Sequence, residues 1–301
     1  MADDARADAI TRTDAKEVFR LWPGGPPTKG KDLAEISYLQ PALDGSQIAM
    51  LRNVSEPTIT VFRPAEAQAN GVGVIVAPGG GWRILAIEHE GIALAEWLAA
   101  RGYTAFLLKY RVAETPADPA EFLAAAERMS KPLAAPRPAS KAPKAIEEVL
   151  RDDTTAFGRK LSIEDGRRAL ELVRERAADW GVDPGKIGMI GFSAGAFLTI
   201  DVALSPGGDG LAFVAPIYGG GAAGRPIPAN APPLFTCIAQ DDRLLFRVVE
   251  GLYRDWSEAD RPSELHVFAR GGHGFGMVKL GLPVDRWVDL FGDWMADQGF
   301  A

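Results

Sequence analysis

The sequence predicts an α/β protein built on a mostly parallel sheet with helices on both faces. Three observations carry that prediction. Short β-rich runs alternate with helical stretches from about residue 58 onward. Several of the runs are apolar along their whole length, the pattern of strands covered on both faces, not on one. Gly and Pro clusters fall where one kind of element gives way to the other.

Taken in order, Thr58 to Phe62 (TITVF) reads as a strand stopped by Pro64. Val72 to Ala77 is a near-continuous apolar strand ended by Pro78-Gly79-Gly80-Gly81. A helix follows from about Gly91 to Ala100, with Leu94, Trp97 and Leu98 on one face and Gly102 as its stop. Tyr103 to Tyr110 is the next buried strand. Ser162-Ile163-Glu164-Asp165 has the form of a capping box, which predicts a helix beginning there and lasting to Gly181. Strands are then expected at Lys186 to Phe192, Phe213 to Tyr218, Leu234 to Ala239 and Leu265 to Phe268, with a helix after Ser193. An amphipathic helix closes the chain from about Pro283 to Met295, its Trp287, Phe291 and Trp294 facing the core.

One stretch departs from this rhythm. Between Val112 and Leu161 the chain is rich in Ala, Pro and Lys and carries six of its 22 prolines. A parallel crossover needs only about a dozen residues, so the segment reads as an insertion into a single 1–301 domain. Glu121 to Met129 and Ala145 to Leu150 have the makings of short helices within it. It is either an inert surface excursion or a lid at the rim of a site.

Composition excludes several classes. With 301 residues, 47% hydrophobic and 24% charged, the chain is an ordinary globular protein, neither disordered nor fibrous. A net charge of −7 opposes binding to nucleic acid phosphates. The single cysteine, Cys237, provides neither an internal disulfide nor a Cys-pair metal site, and its apolar strand predicts an inert core residue. No apolar run is long enough to span a bilayer. Met1 to Asp8 is acidic and lacks the form of a secretory leader. Both a cytoplasmic protein and a secreted one trimmed of its leader fit this.

The chemistry concentrates in four places. Gly191-Phe192-Ser193-Ala194-Gly195 lies between a predicted strand and a predicted helix, the setting of a nucleophile elbow. A serine nucleophile needs a base, and the chain has three histidines. His89, within Glu88-His89-Glu90, is expected to be solvated, with Glu88 and Glu90 complementing a helix dipole. His266 is committed to a strand face. His273, in Gly271-Gly272-His273-Gly274-Phe275-Gly276, lies past the carboxyl end of the last strand, where the crevice of an open α/β sheet forms. The orienting acid is Asp242 or its neighbour Asp241, following the strand Leu234 to Ala239; Asp242 is preferred. Gly79-Gly80-Gly81 supplies bare backbone for an oxyanion hole, completed by the N–H of Ala194. Trp82 and Tyr218 are expected to face the substrate, Trp82 having core packing as its other use. Phe275 and Met277 read either as acyl-pocket lining or as anchors of the histidine loop.

The order Pro78-Gly79-Gly80-Gly81-Trp82, Gly191-Phe192-Ser193-Ala194-Gly195, Asp242, His273 resembles an α/β-hydrolase. It is most similar to the bacterial carbohydrate acetyl-esterase and feruloyl-esterase-like group, related to the hormone-sensitive-lipase-like esterases. AIEHEG, LLKYR, WGVDPGKIG and GGHGFGM agree with it, over roughly Thr58 to Trp294. Pro78 stands where lipase-like relatives carry the histidine of HGGG, as in the carbohydrate-esterase branch. By analogy with the lipase-like motif, Gly80 and Gly81 are the oxyanion donors. The resemblance implies hydrolysis of a small-molecule or carbohydrate ester, with acetyl as the first expectation for the acyl group and no metal or cofactor. No carboxylate pair suited to glycosidic cleavage is evident. The rivals are a prolyl-oligopeptidase-type peptidase, for whose extra domain the chain has no room, and a non-catalytic binding protein of the same fold.

Overall fold

A computed structural model describes residues 17–30, 32–134, 142–206, 210–222 and 224–301. Met1 to Asp8 and positions 135–141 of the expected insertion lie outside these residues. Eleven strands are seen among them: β1 (Glu17–Arg20), β2 (Ile36–Pro41), β3 (Gln47–Arg52), β4 (Thr58–Phe62), β5 (Gly73–Ala77), β6 (Ile84–Leu85), β7 (Thr104–Lys109), β8 (Ile187–Phe192), β9 (Val214–Ile217), β10 (Leu234–Ala239) and β11 (Ser263–Phe268). The helices are α1 (Ala93–Ala99), α2 (Pro119–Ala134), α3 (Ala142–Arg151), α4 (Asp153–Glu175), α5 (Ala194–Ala203), α6 (Phe246–Glu258) and α7 (Trp287–Asp297).

Eight strands form one sheet in the order β1-β4-β7-β5-β8-β9-β10-β11. From β7 to β11 every pairing is parallel, and β1 and β4 add an antiparallel edge. Every residue of β5, β8 and β10 is buried, as their unbroken apolar sequences require. On one side Phe213, Phe235, Phe291 and Trp294 join in a ring cluster that fixes α7 beneath the sheet.

Strand order places the site. The chain moves from β5 outward to β7, then returns to the other side of β5 with β8. The connections leaving neighbouring β5 and β8 therefore diverge, and a crevice opens beyond their carboxyl ends. Ala77 and Gly191 are direct register partners, so the Gly79–Gly81 loop and the Ser193 turn emerge side by side.

Several expectations are corrected. The capping box at Ser162 does not start a helix: α4 begins at Asp153, and Asp152 caps it by accepting from the Thr155 N–H. Ser162 is fully buried in mid-helix with its hydroxyl donating to the Arg159 carbonyl. Asp165 is equally buried and takes the Arg111 guanidinium at 2.7 Å. Both side chains had tertiary or intrahelical partners that outweighed a capping role. The insertion is mostly helical, with α2 and α3 longer than the short helices expected. The helix expected from Gly91 opens instead with a π-helical turn, Glu88–Ile92, that leads into α1.

The amino-terminal strands were not anticipated. β2, β3 and β6 make a separate antiparallel sheet, with β2 and β3 joined through Asp44-Gly45. That pair between apolar runs is a hairpin signal legible in the sequence, with Gly45 at φ +82°. α6 was also unanticipated, though Val249, Leu252 and Trp256 keep helical spacing and are buried.

Candidate active site

Ser193 sits between β8 and α5 at φ 49° and ψ −114°, a backbone conformation that costs about 1–3 kcal/mol and persists only where neighbours enforce it. The neighbours here are backbone. A Cβ on Gly195 would land on the Ala77 and Pro78 carbonyl oxygens, so β5 and α5 approach as closely as glycine allows. Ser193 N donates to the Ile217 carbonyl at 3.1 Å, tying the turn to β9. Ala194 is the first residue of α5, and its N–H has no acceptor within the helix.

Beside it, Gly80 has φ +133°, which presents the loop as bare backbone against Ile84. The Gly80 and Gly81 N–H groups have no backbone acceptor among the described residues. Both glycines and Ala194 line the same cleft as Ser193.

His273 Nε2 lies 2.9 Å from Ser193 Oγ, and His273 Nδ1 lies 2.7 Å from Asp242 Oδ2. With Nδ1–H donating to the carboxylate, Nε2 is the acceptor for the serine proton. Asp242 is buried, and its Oδ1 accepts from the N–H groups of Leu244 and Leu245 at 3.2 and 3.1 Å. Burial works against a proton on His273, but the hydrogen bond and charge of Asp242, helped by Glu90, outweigh it and raise the pKa. Asp241 has a different partner: it accepts from the N–H groups of Gly271 and Gly272 at 3.3 and 2.8 Å, so it holds the loop and Asp242 meets the ring.

The surroundings depart from expectation in a consistent way. His89 is buried, not solvated, and its Nδ1 has no partner among the described residues. Glu90 is 3% exposed and accepts from the Gly79 N–H at 2.7 Å and the Tyr218 hydroxyl at 2.6 Å. Glu88 accepts from the Ala49 N–H. Both glutamates lie in the first turn of this helical segment, as expected, and in addition each accepts from donors of other elements. Tyr218 is fully buried behind the histidine, its ring edge-on at 5.2 Å, and does not reach the cleft. Phe275, 1% exposed and packed on Tyr218, anchors the histidine loop and does not line the cleft. Trp82 is buried against Phe197 and also lines the cleft. Cys237 is buried and burial pushes its thiol pKa up, while His266 pairs with Glu264 on β11.

The cleft measures about 420 Å³. Its walls include Leu43, Ile48 and Met50 of the β2–β3 hairpin, which the sequence did not connect with the site, and Ile146, Val149 and Leu150 of α3 within the insertion, the segment with a lid as one of its two readings. Leu244 and Leu245 close the side next to Asp242. Aliphatic groups thus dominate, with Gln40, Ser193, His273, His89 and Glu90 as the polar lining.

Comparison with known proteins agrees with this architecture. The dienelactone hydrolase family profile matches residues 59–281. A curated acetylxylan esterase of Xylanibacter ruminicola is 20% identical over 260 residues, which is 75% of this chain and 45% of that protein. The chain therefore spans less than half the length of that relative. Among solved structures, an acetyl ester-xyloside bifunctional hydrolase from Caldicellulosiruptor lactoaceticus has a TM-score of 0.58 at 21% identity, covering 82% of this chain and 90% of its own. Thermogutta terrifontis esterase 2, phosphoramylated by tabun, has a TM-score of 0.60 at 16% identity, with coverage of 96% and 97%. At these identities the structural likeness is one of fold.

Proposed function

The chain belongs to the dienelactone hydrolase family, and from that premise we propose that it is a serine carboxylesterase. Ser193 is its nucleophile, His273 its general base and acid, and Asp242 the group that orients the ring. The observation that carries the reading is the 2.9 Å approach of Ser193 Oγ to His273 Nε2 at the floor of an open cleft.

Ser193 Oγ attacks the ester carbonyl while its proton passes to Nε2. The oxyanion is received by the N–H groups of Gly80, Gly81 and Ala194, at the positive end of α5. Collapse expels the alcohol, protonated by His273, and leaves an acyl-serine. Water, deprotonated by the same nitrogen, then attacks the acyl carbon, and the second collapse returns the proton to Oγ and releases the acid. Asp242 remains ionised and stabilises the imidazolium at both stages.

The acyl group is short, acetyl first, and the alcohol a carbohydrate such as a xylan unit. The acetylxylan esterase and acetyl ester-xyloside hydrolase among the similar proteins support this. The domain is a single one, and its 112–161 insertion shapes the cleft through α3. A second reading has an observation of its own. The aliphatic walls from Leu43, Ile48, Met50, Ile146, Val149 and Leu150 favour an ester with an apolar acyl or alcohol group.

Initial rates on p-nitrophenyl acetate, butyrate and octanoate, for the native protein and Ser193→Ala, test both readings. Serine-dependent turnover falling from acetate to octanoate supports the acetyl esterase, and the opposite trend supports the apolar reading. Absence of serine-dependent turnover, with no fluorophosphonate labelling of Ser193, refutes the esterase. Faster cleavage of prolyl amides than of esters would favour a peptidase.

A further inference from the structure

The π-helical turn Glu88–Ile92 binds three separate parts of the site through three consecutive residues. Glu88 takes the Ala49 N–H of β3, fastening the cleft wall. The His89 carbonyl accepts from the Met277 N–H at 2.9 Å, on the histidine loop. Glu90 Oε2 takes the Gly79 N–H of the oxyanion loop, while Oε1 takes the Tyr218 hydroxyl. That hydroxyl in turn accepts from the Gly276 N–H at 3.0 Å, three residues beyond His273. A π turn shifts side-chain direction by one residue relative to an α-helix, which is why such turns recur at functional sites.

We propose that Glu90 is a positioning residue for the Ser193–His273 reaction, clamping the oxyanion loop to the histidine loop and placing a negative charge behind the imidazolium. The inference rests on the esterase reading of this site. A carboxylate at 3% exposure is costly to bury unless its charge is used. Its two oxygens have donors from different loops, so the clamp accounts for the hydrogen bonds. The charge has a second use. As His273 gains a proton during attack, it faces Asp242 directly and Glu90 from behind Tyr218, with Asp241 on the loop amides and the neutral Tyr218 ring at its edge. His89, 3.7 Å from Glu90 through Nε2, and the buried Tyr110 hydroxyl, whose pKa is raised by burial and by the Glu90 charge, are further titratable groups near the carboxylate. Glu90 contributes to raising the His273 pKa and, through its charge, that of the buried Tyr218 hydroxyl.

The test uses two readouts that need no ester substrate. The first is the imidazole NMR titration of His273. The second is the rate at which a fluorophosphonate phosphonylates Ser193, with loss of fluoride, on its high-pH plateau. In Glu90→Gln the His273 midpoint falls and the plateau rate drops by about 10- to 100-fold, the scale of a small displacement of reacting groups. In Tyr218→Phe, which cuts the clamp and keeps the charge, the rate falls while the midpoint stays. Glu90→Asp, which keeps the charge and shortens the reach, behaves like Tyr218→Phe and serves if the glutamine variant does not fold. A wild-type midpoint in folded Glu90→Gln, or a plateau rate within twofold of wild type in Glu90→Gln or Glu90→Asp, overturns the proposal. Failure of the native protein to be phosphonylated at all refutes the esterase reading instead, with the titration still reporting on Glu90.

Discussion

Asp242→Asn isolates the tautomer on which the proposed mechanism depends. Asp242 uses one oxygen for the N–H groups of Leu244 and Leu245 and the other for His273 Nδ1. An asparagine side chain has one oxygen, and the two loop amides claim it. Its amide N–H group then faces Nδ1, which must be unprotonated to accept. The remaining ring proton moves to Nε2, at the 2.9 Å contact with Ser193 Oγ, and the nitrogen that should accept the serine proton becomes a donor. In a serine triad that reversal costs about 10⁴-fold in kcat, or about 5.4 kcal/mol at about 1.36 kcal/mol per factor of ten. Because the loop bonds survive, the urea midpoint should remain close to wild type. Asp241→Asn is the control. Its oxygen still accepts from the Gly272 N–H, and losing the longer Gly271 bond amounts to about 1 kcal/mol, roughly fivefold. The assay is kcat on p-nitrophenyl acetate for both variants, with Ser193→Ala as the zero. Asp242→Asn retaining more than a tenth of wild-type kcat, or Asp241→Asn losing more than it does, would refute the assignment.

The remaining expectations concern pH, packing and specificity. The bond and charge of Asp242 raise the His273 pKa, so the acid limb of kcat/KM should lie above the ordinary imidazole value of about 6.5. The sign follows from the base role: activity is lost as pH falls through that pKa, and a limb at or below the ordinary value contradicts it. Gly195→Ala places a methyl on the Ala77 and Pro78 carbonyl oxygens and should destabilise the fold by about 3 kcal/mol, read from urea unfolding. Ile146→Trp, which enlarges a buried side chain at the cleft wall, should lower the octanoate-to-acetate rate ratio by roughly tenfold. An unchanged ratio would return the insertion to a surface excursion.

The main elements of the sheet and the cluster around Ser193 were legible because they rest on local constraints. An all-apolar run such as Ile187–Phe192, short and bounded by turn signals, reads as a strand covered on both faces. A G-x-S-x-G segment at its end, with a helical pattern following, reads as a tight turn into a helix. Likewise, a histidine among glycines past the last strand falls at the crevice by topology. The β2–β3 hairpin was missed although Asp44-Gly45 marks it, because its Ile36–Pro41 strand is only half-buried and so lacks a clear alternation.

By itself, then, the sequence determined which backbone turns bring Ser193, His273 and Gly79–Gly81 to one edge of a parallel sheet. The tertiary structure decided which polar side chains face one another there. His89 read as solvated because polar side chains usually are, Glu88 and Glu90 read as charges at a helix end, and Tyr218 read as cleft-facing because it ends a strand. The burial of Glu90 and Tyr218 depends on donors supplied by Gly79 and Gly276, and half-buried Glu88 is tied down by Ala49. Those backbone amides lie far along the chain or across a π turn that no local pattern announces. A carboxylate enters a core only when its partners are already in place, and that condition is set by the packing of distant segments.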